Sequence, residues 1–310
     1  MAEFADDSSL LAILLDVSPS AVVHLASTPG LSLQTLLEQL LIFVNAFSLL
    51  NDGNRLAVFT AGPSGCQLAY CSSSCLPPAA AAEAAAERGT APSAEVLKGL
   101  WQAIAGTAAA EKAGGGTFAG TSCQFSSALS RMLCFINSLQ CRAAAAAAGA
   151  ELSGGAGPSG GASAAVRKQQ PMRLLCLTAA PDVPSQYIAV MNSIFSAQRS
   201  GVLIDACQLG VGDSSFLQQA AHLTGGIYLK PDKPQALLQY LNSVFSLDAS
   251  TRQYLRLPGN TRVDFRASCF CHKRQIDLGF VCSACLSIFC EQLPACLTCG
   301  TDFQGGQGKK

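Results

Sequence analysis

LLAILLDVSPS, Leu10 to Ser20, is the stretch on which the fold turns. Leu10 to Leu15 are apolar without a break, so no polar face alternates with a buried one. Such a run reads as a strand covered on both sides, as in parallel sheets. It ends at Asp16, and a polar turn follows at the carboxyl end of the strand, the edge where open α/β sheets bind ligands. Downstream, strand-like and helix-like segments alternate. Between Ser32 and Leu50, the residues Leu33, Leu36, Leu37, Leu40, Leu41, Val44 and Phe47 share one helical face. NDGNRLAVFT gives a turn at Asp52-Gly53 and a second strand, and CQLAYC after Gly65 a third, close enough for a hairpin. Val96 to Ile104 is an ordered segment, and Ser122 to Leu139 is helical, with Phe125, Leu129, Met132, Leu133 and Ile136 in register. MRLLCLTAAPD, GVLIDACQL and GGIYLK read as strands, separated and followed by helices over 186–198, 214–222 and 234–245. This rhythm predicts right-handed crossovers and an α/β fold, a mostly parallel sheet with helices on both faces.

The composition narrows the function. Hydrophobic residues are 49 % of the chain, enough for a substantial core, and charged residues only 13 %. Lys plus Arg equals Asp plus Glu at 20 each, so coating phosphate is not the main task of the chain. From Thr251 onward eight basic residues face four acidic ones. That surplus reads as a solvated rim, with weak or indirect nucleic-acid contact as the alternative. No run reaches about 18 uninterrupted apolar residues, and MAEFADDSSL is acidic where a secretory signal is basic. The expectation is a soluble intracellular protein with no membrane partner. Alanine- and glycine-rich tracts at about 77–94, 105–117 and 143–168 read as disordered insertions within a domain spanning 1–250. A cysteine-rich module over 251–304 and a flexible tail over 305–310 complete the chain.

An intracellular compartment keeps thiols reduced, so the fifteen cysteines are not a disulfide framework. Eight lie scattered between Cys66 and Cys207, mostly in apolar runs, where a free cysteine behaves as a small hydrophobe. Seven crowd between Cys269 and Cys299. Cys282-x-x-Cys285 and Cys296-x-x-Cys299 each offer two sulfurs from one turn, and two such pairs close a tetrahedron around Zn²⁺. Cys269, Cys271, His272 and Cys290 are enough donors for a second zinc; the alternative is that they pack around the first. Four thiolates leave no open coordination position for catalysis. A ubiquitin-ligase RING needs Cys-x-His in its middle, and no histidine lies between Cys285 and Cys296.

The polar turn after the first strand invites a different metal. Asp16-x-Ser18-x-Ser20 resembles the opening of the metal-ion-dependent adhesion site of von Willebrand A domains, and one carboxylate with two hydroxyls suits Mg²⁺. The complete site in that family also draws on an aspartate after the fourth strand. Here that turn reads Thr178-Ala179-Ala180, and Asp182 would need a different loop path to substitute. The expectation is that no working Mg²⁺ site is present. A metal-dependent ligand-binding protein using Asp16, Ser18 and Ser20 is the alternative. Nothing supports an enzyme or a small-molecule substrate: Gly154 to Gly161 follows no strand, no P-loop is present, and His24, His222 and His272 lack a partnered nucleophile.

QYIAVMNSIFSAQ, LQQAAHLTGGIYLKP and VDFRASCFCHKRQIDLGFVCSACLSIFC…PACLTC resemble the smaller von Willebrand A-type core subunit of general transcription factor IIH. The similarity is near-continuous from Arg173 to Cys299 and weaker before it. It implies a von Willebrand A-type domain with a small C-terminal zinc-binding module, in a nuclear, non-catalytic subunit. It further implies a role in RNA polymerase II initiation and nucleotide excision repair, and binding to the larger von Willebrand A-type subunit and other core subunits.

Overall fold

The computed structural model describes residues 9–63, 65–72, 75, 92–114, 123–153, 172–257, 263, 265–272, 274–285 and 287–303. Strands β1 (Leu10–Asp16), β2 (Arg55–Gly62), β3 (Gly65–Cys71), β4 (Met172–Thr178), β5 (Leu203–Gln208) and β6 (Tyr228–Leu229) form one sheet in the order β3-β2-β1-β4-β5-β6. The β2–β3 pair is the expected antiparallel hairpin, and the other pairings are parallel. β1 sits between β2 and β4 with every residue buried, as its unbroken apolar run requires.

Alternate residues of β1 feed two cores. Leu10, Ala12 and Leu14 pack with Leu129, Met132 and Ile136 of α4 (Phe125–Ser153), Val190 and Ile194 of α5 (Tyr187–Arg199), and Phe216 and Ala220 of α6 (Ser215–Thr224). Leu11, Ile13 and Leu15 pack with Leu36, Leu40, Phe43 and Phe47 of α2 (Leu33–Leu50), and with Leu237, Leu241 and Phe245 near the end of the domain. Truncating one of these strand residues, as in Ile13→Ala, costs about 2–5 kcal/mol. By length and composition α2 is apolar enough to cross a membrane, yet Leu36, Leu37, Leu40, Phe43, Val44 and Phe47 are spent on this core.

Several local features depart from the sequence reading. The DVSPS turn opens a helix, α1 (Pro19–Ala26): Ser18 caps it by accepting from the Ala21 N–H at 3.2 Å, and Pro19 supplies the preset φ of a first helical residue. The disordered insertions need correction. Helix α3 (Pro92–Gly114) takes in 92–94 and 105–114, and α4 continues through 143–153. Alanine has the highest helix propensity, so a helix nucleated on its core-packed first turns propagates along such a tract. The rest of those tracts lies outside the described residues. The helix expected over 234–245 is a 3₁₀ turn at Pro234–Ala236, an α turn at Leu237–Tyr240 and a π turn at Leu241–Phe245. The wholly buried Arg173 guanidinium donates to the carbonyls of Phe245 (3.0 Å), Ser246 (3.2 Å) and Leu247, closing that end.

Candidate metal centres and the sheet edge

At the carboxyl edge of the sheet, Asp16 is already satisfied by protein donors. Its Oδ1 accepts the Ser18 N–H at 3.0 Å, and its Oδ2 accepts the Thr178 hydroxyl at 2.8 Å. The Cys123 thiol, from the residue pair before α4, makes a third bond. Burial pushes the Asp16 carboxyl upward against these bonds, and burial next to Asp16 pushes the Cys123 thiol well above its usual range. Ser18 Oγ is engaged as the α1 cap. Asp182 lines the same small cavity as Asp16, Cys123 and Thr178, but its carboxylate is committed to the start of α6. It accepts from Ser214 Oγ, from Ser215 Oγ at 2.9 Å and from the Phe216 N–H at 3.0 Å. The side chain at the position where the family carries an aspartate is the buried methyl of Ala179. One protein carboxylate with its oxygens occupied is a poor seat for Mg²⁺.

The C-terminal cysteines form a different kind of site. After the body, Asp248 caps the short helix Ala249–Arg252. Two pairings of two-residue strands and one single bridge follow: β7 (Ala267–Ser268) with β8 (Gln275–Ile276), β9 (Phe280–Val281) with β10 (Ile288–Phe289), and Ala295 with Asp302. Each encloses a turn of one design. The N–H of Cys269 reaches the carbonyl of Arg274 at 2.9 Å, that of Cys282 the carbonyl of Ser287 at 2.9 Å, and that of Cys296 the carbonyl of Thr301 at 2.8 Å. Three residues after each leading cysteine stands a second donor, namely His272, Cys285 and Cys299. The first turn is therefore Cys-x-x-His, with Cys271 lying inside it. Phe289 packs between Phe270 and Phe303, with centroids 6.3 and 6.4 Å away, as the apolar centre of the module.

The turns converge in two clusters, each with all four donor atoms within 4.8 Å of one another: Cys282, Cys285, Cys296 and Cys299, and Cys269, Cys271, His272 and Cys290. In the first, Cys282 and Cys299 sulfurs are 3.7 Å apart and those of Cys285 and Cys296 3.5 Å. A tetrahedron with zinc–sulfur bonds of about 2.3 Å has edges of about 3.8 Å, so the spacing fits. In the second, Cys290 Sγ is 3.4 Å from Cys271 Sγ and 3.1 Å from His272 Nδ1. Three of the thiols are drawn toward the ligand form, whereas burial and the neighbouring thiols hold Cys282 up at about 11 and raise Cys290. Hydrogen bonds from the Thr301 hydroxyl and N–H bring Cys299 down to about 6, and those from Ser287 lower Cys285. Burial raises Cys269, but the Arg274 and His272 N–H groups more than offset it, leaving about 7. The module also touches the body, where Gln275 Nε2 donates to Ser215 Oγ at 2.7 Å and the Phe265 ring meets His222 edge-on at 5.3 Å.

The structure thus gathers all eight candidate donors, while at the sheet edge the second carboxylate, Asp182, is committed to the start of α6. The sequence reading missed the role of Cys123 beside Asp16, because nothing in its spacing ties it to β1. It also missed the shared pattern of the three turns, which the spacing of Cys269, Cys282 and Cys296 does carry.

Comparison with known proteins agrees with this architecture. The family model for transcription factor Tfb4 matches residues 8–300. The general transcription and DNA repair factor IIH subunit TFB4 of Arabidopsis thaliana is 39 % identical over 307 residues, covering 99 % of this chain and 92 % of that protein. Its Schizosaccharomyces pombe counterpart is 34 % identical over 303 residues, covering 96 % and 90 %. Among solved structures, the crystal structure of the TFIIH p34 N-terminal domain superposes with a TM-score of 0.57 at 26 % identity, covering 76 % of this chain and 97 % of that one. The body shares its fold with the p34 N-terminal domain, and the chain belongs to the transcription factor Tfb4 family.

Proposed function

We propose that this chain is a structural, non-catalytic subunit of the transcription factor IIH core. In this reading it acts in the nucleus, in RNA polymerase II initiation and nucleotide excision repair, through protein–protein contacts. The observation that carries the reading is the family match over residues 8–300, with relatives named as subunits of the general transcription and DNA repair factor IIH. The chemistry of the chain is in keeping with it. Asp16 is tied up by Ser18, Thr178 and Cys123, so the reading of Asp16, Ser18 and Ser20 as a ligand-binding Mg²⁺ site is set aside.

The two donor clusters fit zinc, one ion in Cys282, Cys285, Cys296 and Cys299 and a second in Cys269, Cys271, His272 and Cys290. Four protein donors close each tetrahedron, which makes these ions structural. The α/β body ends near residue 250 and the module follows. The partner is the larger von Willebrand A-type subunit of the same factor, contacted by the body and by the module. On the module, Leu278, Phe280, Val281 and Leu297 are exposed apolar side chains suited to such a contact. Two linked contacts raise the effective concentration of each. Co-expression with that subunit and size-exclusion chromatography tests the pairing. The full chain co-elutes with it, truncation at Ser250 weakens the complex, and separate elution of the full chain at micromolar concentration would overturn the reading.

A further inference from the structure

The three turns share one more feature besides their backbone closure. The residue five positions after each leading cysteine, whose carbonyl closes the turn, also aims its side chain at a ligand sulfur. Ser287 Oγ lies 3.1 Å from Cys285 Sγ, and Thr301 Oγ1 lies 3.0 Å from Cys299 Sγ. In the first turn the equivalent residue is Arg274, whose Nη2 lies 3.7 Å from Cys290 Sγ. Ser287 is 2 % exposed, and a buried hydroxyl is retained where it has a partner. The sulfurs of Cys285 and Cys299 belong to one cluster and that of Cys290 to the other.

We propose that Ser287 and Thr301 are positioning residues for the ion held by Cys282, Cys285, Cys296 and Cys299, and that Arg274 has the same task at the second cluster. The inference rests on the zinc reading above. Four thiolates around Zn²⁺ carry a net charge of about −2, and three thiolates with a neutral imidazole about −1. A hydroxyl donated to a thiolate spreads that charge and fixes the orientation of the sulfur, which holds it in the ligand set. At the cluster with one charge fewer, a guanidinium can neutralise the whole surplus. The neutral donors thus stand at the four-thiolate site and the cationic donor at the mixed site.

The test uses the full zinc-loaded chain and follows zinc transfer to a chromophoric chelator, with zinc per chain measured beforehand by elemental analysis. Outer-shell donors of this kind change metal affinity by about 10–100-fold. Ser287→Ala and Thr301→Val should each speed release of one zinc by about tenfold and leave the other unchanged. Thr301→Ser, which keeps the hydroxyl, should release at the wild-type rate. Arg274→Gln should speed release of the other zinc. Should the buried Ser287→Ala fail to fold, the Thr301 pair decides. Wild-type release rates in Thr301→Val and Arg274→Gln, or equal acceleration in Thr301→Ser and Thr301→Val, overturn the inference while leaving the zinc reading intact. A wild-type chain that is folded over 269–299 without zinc overturns both.

Discussion

Arg252 holds Asp205 with both terminal guanidinium nitrogens, Nη1 at 2.8 Å from Oδ1 and Nη2 at 2.5 Å from Oδ2. The pair pins the start of the C-terminal segment to the middle of β5. Asp205 is fully buried and its Oδ1 also accepts the Ile227 N–H at 2.9 Å. Removing Arg252 takes away two hydrogen bonds and leaves the buried carboxylate with the Ile227 N–H and the more distant Arg173 charge. Arg252→Ala should therefore lower stability by about 3–5 kcal/mol, read from chemical denaturation. A loss below about 1 kcal/mol, the usual worth of an exposed pair, would show that Asp205 finds other partners.

The zinc reading predicts local collapse. Binding and folding are coupled in so small a unit. Cys282→Ser or Cys299→Ser should release one zinc and raise amide hydrogen exchange across 269–299, while β1 and β4 keep their protection. Unchanged exchange in the module of either variant would contradict it.

Asp16 gives a pH signature. Burial raises its folded pKa above the ordinary 3.8, so the native state holds a proton that the unfolded chain releases. The stabilisation from that proton is fully present below 3.8 and is lost as pH rises through the folded value. Wild type should lose stability over that window relative to Asp16→Asn, which has no proton to release. Parallel pH profiles of the two proteins would count against a raised carboxyl. Titration with Mg²⁺ should give no saturable heat in either protein, and tight binding lost in the variant would revive the cation site.

The contact between module and body should be separable from the zinc. Gln275→Ala removes the bond to Ser215 and leaves every ligand in place. Zinc content should hold while protease cleavage between the body and residue 265 speeds up. Loss of zinc instead would mean that the contact supports the second cluster directly.

Much of this was legible in the sequence, for physical reasons that differ by region. β1 was plain because six apolar residues in a row fit one environment, and the Cys-x-x-Cys pairs because few other structures use them. α1 was missed because Ser18-Pro19 serves a metal loop and a helix cap equally well. The helical run of α4 to Ser153 was missed because an alanine tract has no apolar face to announce it. Arg173, wholly buried on a central strand, and the Arg252–Asp205 pair are tertiary facts. No local pattern records which carbonyls or carboxylate they meet. The likeness of the first turn to the other two was missed because Cys271 interrupts its Cys269-x-x-His272 pattern.

The central claim is membership of a working transcription factor IIH assembly. The direct measurement is affinity purification of the tagged full chain from nuclear extract, with stoichiometry of the co-purifying chains by quantitative mass spectrometry. The account predicts the other core subunits of the factor at about one copy each per tagged chain, and loss of that set when the β1 core is disrupted by Ile13→Asp. Recovery of the folded chain alone, or with a different stoichiometric partner set, would contradict it.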